Sequence, residues 1–179
     1  MAKKILIISS SPRRKGNSDM LCDEFMLGAK EAGNQVEKIF LADKKINYCS
    51  GCDVCSSTDK PCPQKDDAAE IIEKMVQADV IVLATPVYFY AMSAQLKTLI
   101  DRCCGRYTAM SNKEFYLLAT AAENGGENIQ HVFDNLQGFL DCLENPTVKG
   151  KLLCGGVWHK DEIKDKTALQ DAYEMGKSV

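Results

Sequence analysis

Short apolar runs alternate with amphipathic stretches along the whole chain. Ile5-Leu6-Ile7-Ile8 is the first run and predicts a strand. A helical pattern follows, with Leu21, Phe25, Ala29 and Ala32 on one face and Gly33-Asn34 as its stop. Val36 to Leu41 predicts a second strand. After a cysteine-rich stretch, Asp67 opens a helix with Glu70 three residues on, in the manner of a capping box. Its apolar stripe is Ile71, Ile72, Met75 and Val76. Val80-Ile81-Val82-Leu83-Ala84 is apolar without interruption, as a parallel strand covered on both faces requires. Ser93 can cap the next helix, which turns Leu96, Leu99, Ile100 and Cys103 to one side. Phe115 to Ala121 predicts a fourth strand. The helix after it has the clearest period, from Ile129, Val132, Phe133 and Leu136 to Phe139, Leu140 and Leu143. Leu152 to Val157 predicts a fifth strand, and Ala168, Leu169, Ala172 and Tyr173 a last helix.

Five β-α units in succession predict an α/β fold: a three-layer α/β/α sandwich around a five-stranded parallel sheet in the order 2-1-3-4-5. At about 150 residues per domain, residues 1–179 read as one domain, with a cysteine-rich loop at 48–66. Ligands of such sheets bind at the carboxyl ends of the strands, where the strand order reverses. The loops after Ser9, Leu41, Ala84 and Ala121 are therefore the places for chemistry. Composition narrows the classes: 45% hydrophobic and 26% charged residues are ordinary globular values. A net charge of −3 gives no basic field for nucleic acid. No apolar run approaches the roughly 18 residues of a membrane span, so no membrane partner is expected. Met1-Ala2-Lys3-Lys4 precedes only four apolar residues, short of the roughly 7–15 of a signal peptide, so a cytoplasmic location is expected.

The loop after the first strand reads Ser9-Ser10-Ser11-Pro12-Arg13-Arg14-Lys15-Gly16-Asn17-Ser18. It joins a buried strand to a helix N-terminus, where free N–H groups and the helix dipole favour an anion. The hydroxyls of Ser9, Ser10, Ser11 and Ser18, the Asn17 amide and three basic residues suit a phosphate. Neither G-x-G-x-x-G nor G-x-x-x-x-G-K-[ST] occurs, which disfavours a dinucleotide or a nucleoside triphosphate. The plainer reading is a solvated turn with an N-cap at Asn17 or Ser18. The loop after the third strand carries Tyr88, Phe89 and Tyr90 behind a stiffening Pro86. Aromatics there suit a flat aromatic ligand or a subunit interface. A phosphate at one loop and a planar ring at the next describe flavin mononucleotide.

Ser10-Ser11-Pro12-Arg13 with Gly16-Asn17-Ser18, then Thr85-Pro86-Val87-Tyr88, Gln95-Leu96-Lys97 and Ile100-Asp101-Arg102, resemble the NADPH-dependent FMN reductase family of flavodoxin-like proteins. The resemblance covers nearly the whole chain. It implies FMN phosphate binding by the first loop, with Ser9, Ser11, Pro12, Arg13, Asn17 and Ser18 as the candidates here. It implies support of the isoalloxazine by Pro86, Val87, Tyr88 and Phe89. It also implies contact with the ring edge from the loop Thr120 to Gly126, with Thr120, Ala121 and Gly125 as candidates. Ser10 stands where many members have glycine, so slight crowding of the phosphate turn is expected.

The chain has nine cysteines, and Cys49, Cys52, Cys55 and Cys62 make a C-x2-C-x2-C-x6-C-P run. In a reducing compartment this argues for metal or redox chemistry over disulfides. Gly51 permits the sharp backbone of the first turn. Four such thiolates suit a [4Fe–4S] cluster. They also suit structural zinc, or the loop stays empty. The ferredoxin run ends C-x3-C-P, and the longer gap here resembles instead the compact motif of iron–sulfur flavoproteins of the same family. Cys22, Cys103, Cys104, Cys142 and Cys154 lie on helix or strand patterns and read as small buried hydrophobes. His131 and His159 show no metal-ligand spacing, and Asp66-Asp67 reads as the acidic start of a helix. Trp158 carries no assignment from sequence.

The resemblance implies an NAD(P)H-dependent oxidoreductase in which hydride passes from the nicotinamide nucleotide to the flavin, with no side-chain acid or base assigned. With a cluster present, electrons pass on singly to a redox protein such as ferredoxin. It further implies a homodimer or a dimer of dimers. The alternative is a flavodoxin-like electron carrier without a nicotinamide substrate, its cysteine loop empty or zinc-bound. Flavodoxins are often strongly acidic, whereas this chain is only mildly so.

Overall fold

A computed structural model describes residues 1–58 and 60–179. The uninterrupted apolar runs become the inner strands of one sheet. β1 (Lys4–Ser9) and β3 (Val80–Pro86) pair at its centre, and β2 (Gln35–Phe40) flanks β1. β4 (Glu114–Thr120) and β5 (Thr147–Cys154) complete the order β2-β1-β3-β4-β5, every pairing parallel. The helices are α1 (Asn17–Glu31), α2 (Val54–Ser57), α3 (Ala68–Gln77), α4 (Ala94–Arg102), α5 (His131–Leu140) and α6 (Ala168–Lys177). The expected strand order is therefore observed.

The pleat of each inner strand feeds two cores. Leu6, Ile8, Ile81, Leu83 and Leu117 face α3, α4 and α5, packing with Ile71, Met75, Leu96, Leu99 and Leu136. Ile5, Ile7, Val82 and Leu118 face α1 and α6, packing with Leu21, Phe25 and Ala172. Each such side chain contributes about 1.5–3 kcal/mol on burial, so the continuous apolar runs determine the three layers. Among the described residues, no helix is long and apolar enough to cross a membrane.

Three local expectations are corrected. β5 begins at Thr147 rather than Leu152, because an edge strand exposes every second residue and its polar positions hide it from an apolar-run reading. Asp67 precedes α3, but no capping box forms: its carboxylate accepts the Lys45 N–H at 2.7 Å, and Asp66 accepts the Ala68 N–H at 3.1 Å. Ser93 precedes α4, yet its hydroxyl bonds Ser10 Oγ at 2.9 Å rather than the helix. At both helix starts the long-range tie takes the side chain that local pattern assigns to the cap.

Candidate cofactor cleft and cysteine loop

The turn between β1 and α1 folds on itself. The Ser11 hydroxyl donates to Arg13 O at 2.9 Å and accepts the Arg13 N–H at 3.2 Å. Gly16 N–H donates to the same carbonyl at 2.9 Å. Gly16, not Asn17 or Ser18, is the N-cap of α1, and no side chain caps it. The first-turn N–H groups of α1, at Asn17, Ser18 and Asp19, have no intrahelical partner and lie at the positive end of the dipole. A glycine is needed at 16 because a Cβ there would lie 2.7 Å from Ser11 Oγ and 2.9 Å from Arg13 O.

Beneath the turn, buried Asp19 accepts the Ser9 hydroxyl at 2.8 Å, the Lys15 N–H at 2.9 Å and Lys38 Nζ at 3.0 Å. Ser9 is thus committed to Asp19 and supports the turn from below. Ser10 does not crowd it either: its hydroxyl donates down to Ala84 O at 2.8 Å and receives Ser93, tying the turn to β3 and α4. Arg14 pairs with Asp43 and lies over the Phe40 ring at 5.0 Å.

A cleft of about 170 Å³ runs from this turn. Ser11, Pro12, Arg13, Gly16, Asn17 and Ser18 form one wall. Pro86, Val87, Tyr88 and Thr120 form the next, and Ala122, Val157, Trp158 and Lys160 close it. A second cavity of about 330 Å³ continues it, lying between Tyr88, Phe89 and Tyr90 and the exposed Trp158, with Ala121, Ala122 and Glu123 also lining it. The three aromatics sit on a tight hairpin closed by reciprocal bonds between Tyr88 and Ala91. Phe89 and Tyr90, at φ 49° and 61°, both occupy the left-handed region. Bulky residues rarely adopt it, and such strain persists where surrounding structure imposes it.

The predicted residues Ser11, Pro12, Arg13, Asn17, Ser18, Pro86, Val87, Tyr88 and Thr120 come together in the cleft, and Phe89 and Ala121 line its continuation. Ser9 and Gly125 line neither. Trp158 and Lys160 escaped the sequence reading. They belong to the loop after β5, which the Asn17 amide holds in place by donating to His159 O at 2.8 Å. Glu162 holds it from the other side, accepting the Trp158 and His159 N–H groups at 2.6 and 2.9 Å. With its Nδ2 so used, Asn17 keeps a buried Oδ1 that has no partner among the described residues. An amide oxygen accepts only, so it suits a hydroxyl donor rather than a phosphate oxygen.

The cysteine loop leaves the sheet after a 3₁₀ turn at Leu41–Asp43. Its two limbs are clasped together. Asn47 N–H donates to Asp66 Oδ2 at 2.9 Å, and Gln64 Nε2 donates to Tyr48 O at 3.1 Å. Arg102, at the end of α4, forms a buried fork with Asp66 at 2.6 and 3.1 Å. It also donates to Asn47 O at 2.8 Å and to Cys62 Sγ at 3.4 Å. Burial raises the Asp66 carboxyl, but Arg102 and the N–H groups of Asn47 and Ala68 outweigh it and hold it below the usual value. Gly51 and Asp53 take φ of 64° and 62°, which turns the chain into α2.

Cys55 of α2 packs on Gly105, where a Cβ would lie 2.8 Å from that of Cys55. Cys55 and Cys62 line one cavity of about 190 Å³ with Arg102 and Arg106, while Cys49 and Cys52 are exposed. Among the described residues, no three His, Cys, Asp or Glu side chains converge as a ligand set. The Cys52 thiol is drawn below its ordinary value, chiefly by the Val54 N–H and then by the Ser50 hydroxyl. Burial raises the Cys55 thiol, with Cys104 and Cys62 adding to the effect. Cys22, Cys103 and Cys154 are buried as expected, and burial pushes Cys22 and Cys103 up to about 12. Cys104 and Cys142 are exposed instead: one lies in the 3₁₀ turn Cys103–Gly105, the other just past the end of α5.

Residues 3–150 match the family described as NADPH-dependent FMN reductase. The chain belongs to that family. It is 48% identical to an iron–sulfur flavoprotein of Methanocaldococcus jannaschii, across 98% of this chain and 95% of that protein. It is 31% identical to an iron–sulfur flavoprotein of Methanosarcina thermophila, across 98% and 93%. Solved structures share the fold at lower identity. A flavone reductase matches with a TM-score of 0.77 and 21% identity over 98% of this chain, which spans 61% of that one. The NAD(P)H:quinone oxidoreductase of Methanothermobacter marburgensis matches with a TM-score of 0.73 and 19% identity over 99% and 98%.

As a member of the FMN reductase family the protein is an FMN-containing oxidoreductase, and the cleft fits that cofactor by its own chemistry. Free N–H groups with Arg13 and Lys160 suit a phosphate. The buried Asn17 oxygen suits a polyol hydroxyl, and the slot between Tyr88 and Trp158 suits a flat ring. The cysteine loop likewise fits a metal centre in donor type, in the space that Gly105 leaves for Cys55, and in the arginine beside Cys62.

Proposed function

We propose that the protein is an NAD(P)H-dependent FMN oxidoreductase in which Cys49, Cys52, Cys55 and Cys62 hold a [4Fe–4S] cluster. FMN accepts hydride from a reduced nicotinamide, and a thiolate-ligated cluster carries single electrons; that is the chemistry these groups supply when bound. The observation that carries the reading is the continuity of the two cavities, which share Val87, Tyr88, Ala122 and Trp158. One end offers N–H groups and cations, the other aromatic walls.

The chain's own part is binding and orientation. Ser11, Pro12, Arg13, Asn17 and Ser18 enclose the phosphate end, with Asp19 and Ser9 fixing the turn from beneath. Pro86, Val87, Tyr88, Phe89, Thr120 and Ala121 flank the ring. Val87 N–H donates to Thr120 O at 2.7 Å, locking the two loops together. No side chain in either cavity is assigned a proton-transfer role. The exposed rings of Phe89, Tyr90 and Trp158 fit a second copy of the chain, giving a homodimer or a dimer of dimers. A redox protein of ferredoxin type fits as the one-electron partner. The nine free cysteines fit a cytoplasmic location.

The test is a visible spectrum of protein purified without oxygen, with iron, acid-labile sulfide, and NADH and NADPH oxidation measured on the same sample. Flavin bands, about four irons per chain and steady nicotinamide oxidation are expected. Flavin without nicotinamide turnover leaves an electron carrier. Flavin with zinc or no metal removes the cluster.

A further inference from the structure

We infer that Arg102 is the positioning residue of the cysteine centre, clasping the two limbs of the loop and directing one N–H onto the Cys62 sulfur. The inference rests on the reading that the loop holds an iron–sulfur cluster, and goes beyond it in naming what sets the cluster's environment.

Three observations converge. The Arg102 side chain is 2% exposed, and a guanidinium so buried is costly unless every charge around it is used. Its partners are Asp66 and Asn47 O at the base of the loop, with a longer 3.4 Å approach to Gln64 Oε1 and the same distance from Nη2 to Cys62 Sγ. All these partners lie between residues 47 and 66, so the arginine serves this loop. Finally, its Nε is buried with no partner among the described residues.

A rigid fork reaches two limbs at once, which the point charge of lysine does not. An N–H on a ligating sulfur, with a positive charge behind it, stabilises the more reduced and more negative state of a cluster. Arg106 provides the contrast. It lines the same cavity but is exposed, and its guanidinium pairs with Glu73 at 2.9 Å, with no cysteine sulfur bonded among the described residues.

The test uses the full chain purified and loaded without oxygen. Iron and sulfide are counted first on the wild type; a wild type that takes up no iron overturns the cluster reading and this inference with it. On loaded protein, Arg102→Gln is expected to lower the one-electron reduction equilibrium about tenfold, which is 59 mV. Arg102→Lys, which keeps the charge but not the fork, is expected to lose iron faster to a chelator while shifting the potential less. Arg106→Gln, which removes a cavity-lining charge but no bond to a cysteine sulfur, is expected to shift the potential less than Arg102→Gln and to leave iron loss at the wild-type rate, and FMN affinity is expected to stay at the wild-type value in all three. Wild-type potential and wild-type iron loss in folded, loaded Arg102 variants overturn the inference. Should no Arg102 variant fold, pulsed electron paramagnetic resonance on reduced wild type labelled with ¹⁵N-arginine decides it: a nitrogen coupling supports the contact, and its absence overturns it.

Discussion

Gly16→Ala isolates the close packing of the phosphate turn. Gly16 has φ −73° and ψ 167°, a conformation alanine adopts freely, so any cost is steric. The new methyl would lie 2.7 Å from Ser11 Oγ, 2.9 Å from Arg13 O and 3.3 Å from Arg13 Cβ. Ser11 cannot swing aside cheaply, because its hydroxyl both donates to Arg13 O and accepts the Arg13 N–H. Nor can the carbonyl, which also receives Gly16 N–H. The turn must therefore open by several tenths of an ångström. Overpacking of this kind costs about 1–3 kcal/mol. The turn is a surface loop, so the strain relaxes in the free protein and reappears when a phosphate demands the closed form. FMN should bind about 5- to 150-fold more weakly, at 1.4 kcal/mol per tenfold. Titration of the flavin-free protein, followed by quenching of FMN fluorescence, measures it. Gly138→Ala is the control: among the described residues, no atom outside its chain neighbours and its own helix backbone would lie within 4 Å of the new Cβ, and it sits inside α5. It should gain about 1 kcal/mol from helix propensity, raise Tm by about 2–4 °C and leave FMN binding alone. Gly16→Ala binding FMN within twofold of wild type would refute the reasoning.

Other consequences follow from the same structure. Phe89→Asn with Tyr90→Gly places residues that tolerate positive φ at both strained positions. It should raise Tm by several degrees, since such strain costs about 1–3 kcal/mol per residue, while weakening FMN binding by loss of the ring wall. Trp158→Ala should weaken FMN binding about two- to twelvefold, the worth of one stacking contact of about 0.5–1.5 kcal/mol, with Tm unchanged because the indole is 70% exposed. Gly28→Ala drives a methyl to 2.1 Å from Tyr173 O, where α1 and α6 touch backbone to backbone, and should lower Tm by 4 °C or more, at about 2–4 °C per kcal/mol. For pH, the Asp66 carboxyl is held low in the fold. Its stabilisation is thus complete above the unfolded carboxylate value of about 3.9 and is lost as pH falls through the folded value. Urea unfolding should show wild type ahead of Asp66→Asn at pH 7, with the gap closing in acid.

The legible part of the fold was the part where one physical effect dominates. Ile5 to Ile8 and Val80 to Ala84 are apolar on both pleat faces, so their strands and the layers around them follow from burial alone. The phosphate turn and the aromatic loop were legible too, because short-range chemistry at a strand's carboxyl end marks them. What escaped reading depends on pairs far apart in the chain. Asp66 looked like a helix start because its neighbours in sequence are a helix; its decisive neighbour is Arg102, 36 positions away. Arg102 lay inside the motif Ile100-Asp101-Arg102 on which the family resemblance rests, yet a motif names a residue without naming its partner. Trp158 has no local pattern at all, and ties to Ala121, Glu123 and Asn17, all distant in the chain, bring its loop to the cleft. Cys104 lies two residues past the end of α4, in a 3₁₀ turn that the helical period does not foresee and that leaves it exposed. In each case the sequence holds the side chain and the fold supplies the distance. The residues most worth substituting are therefore those whose partners periodicity does not supply.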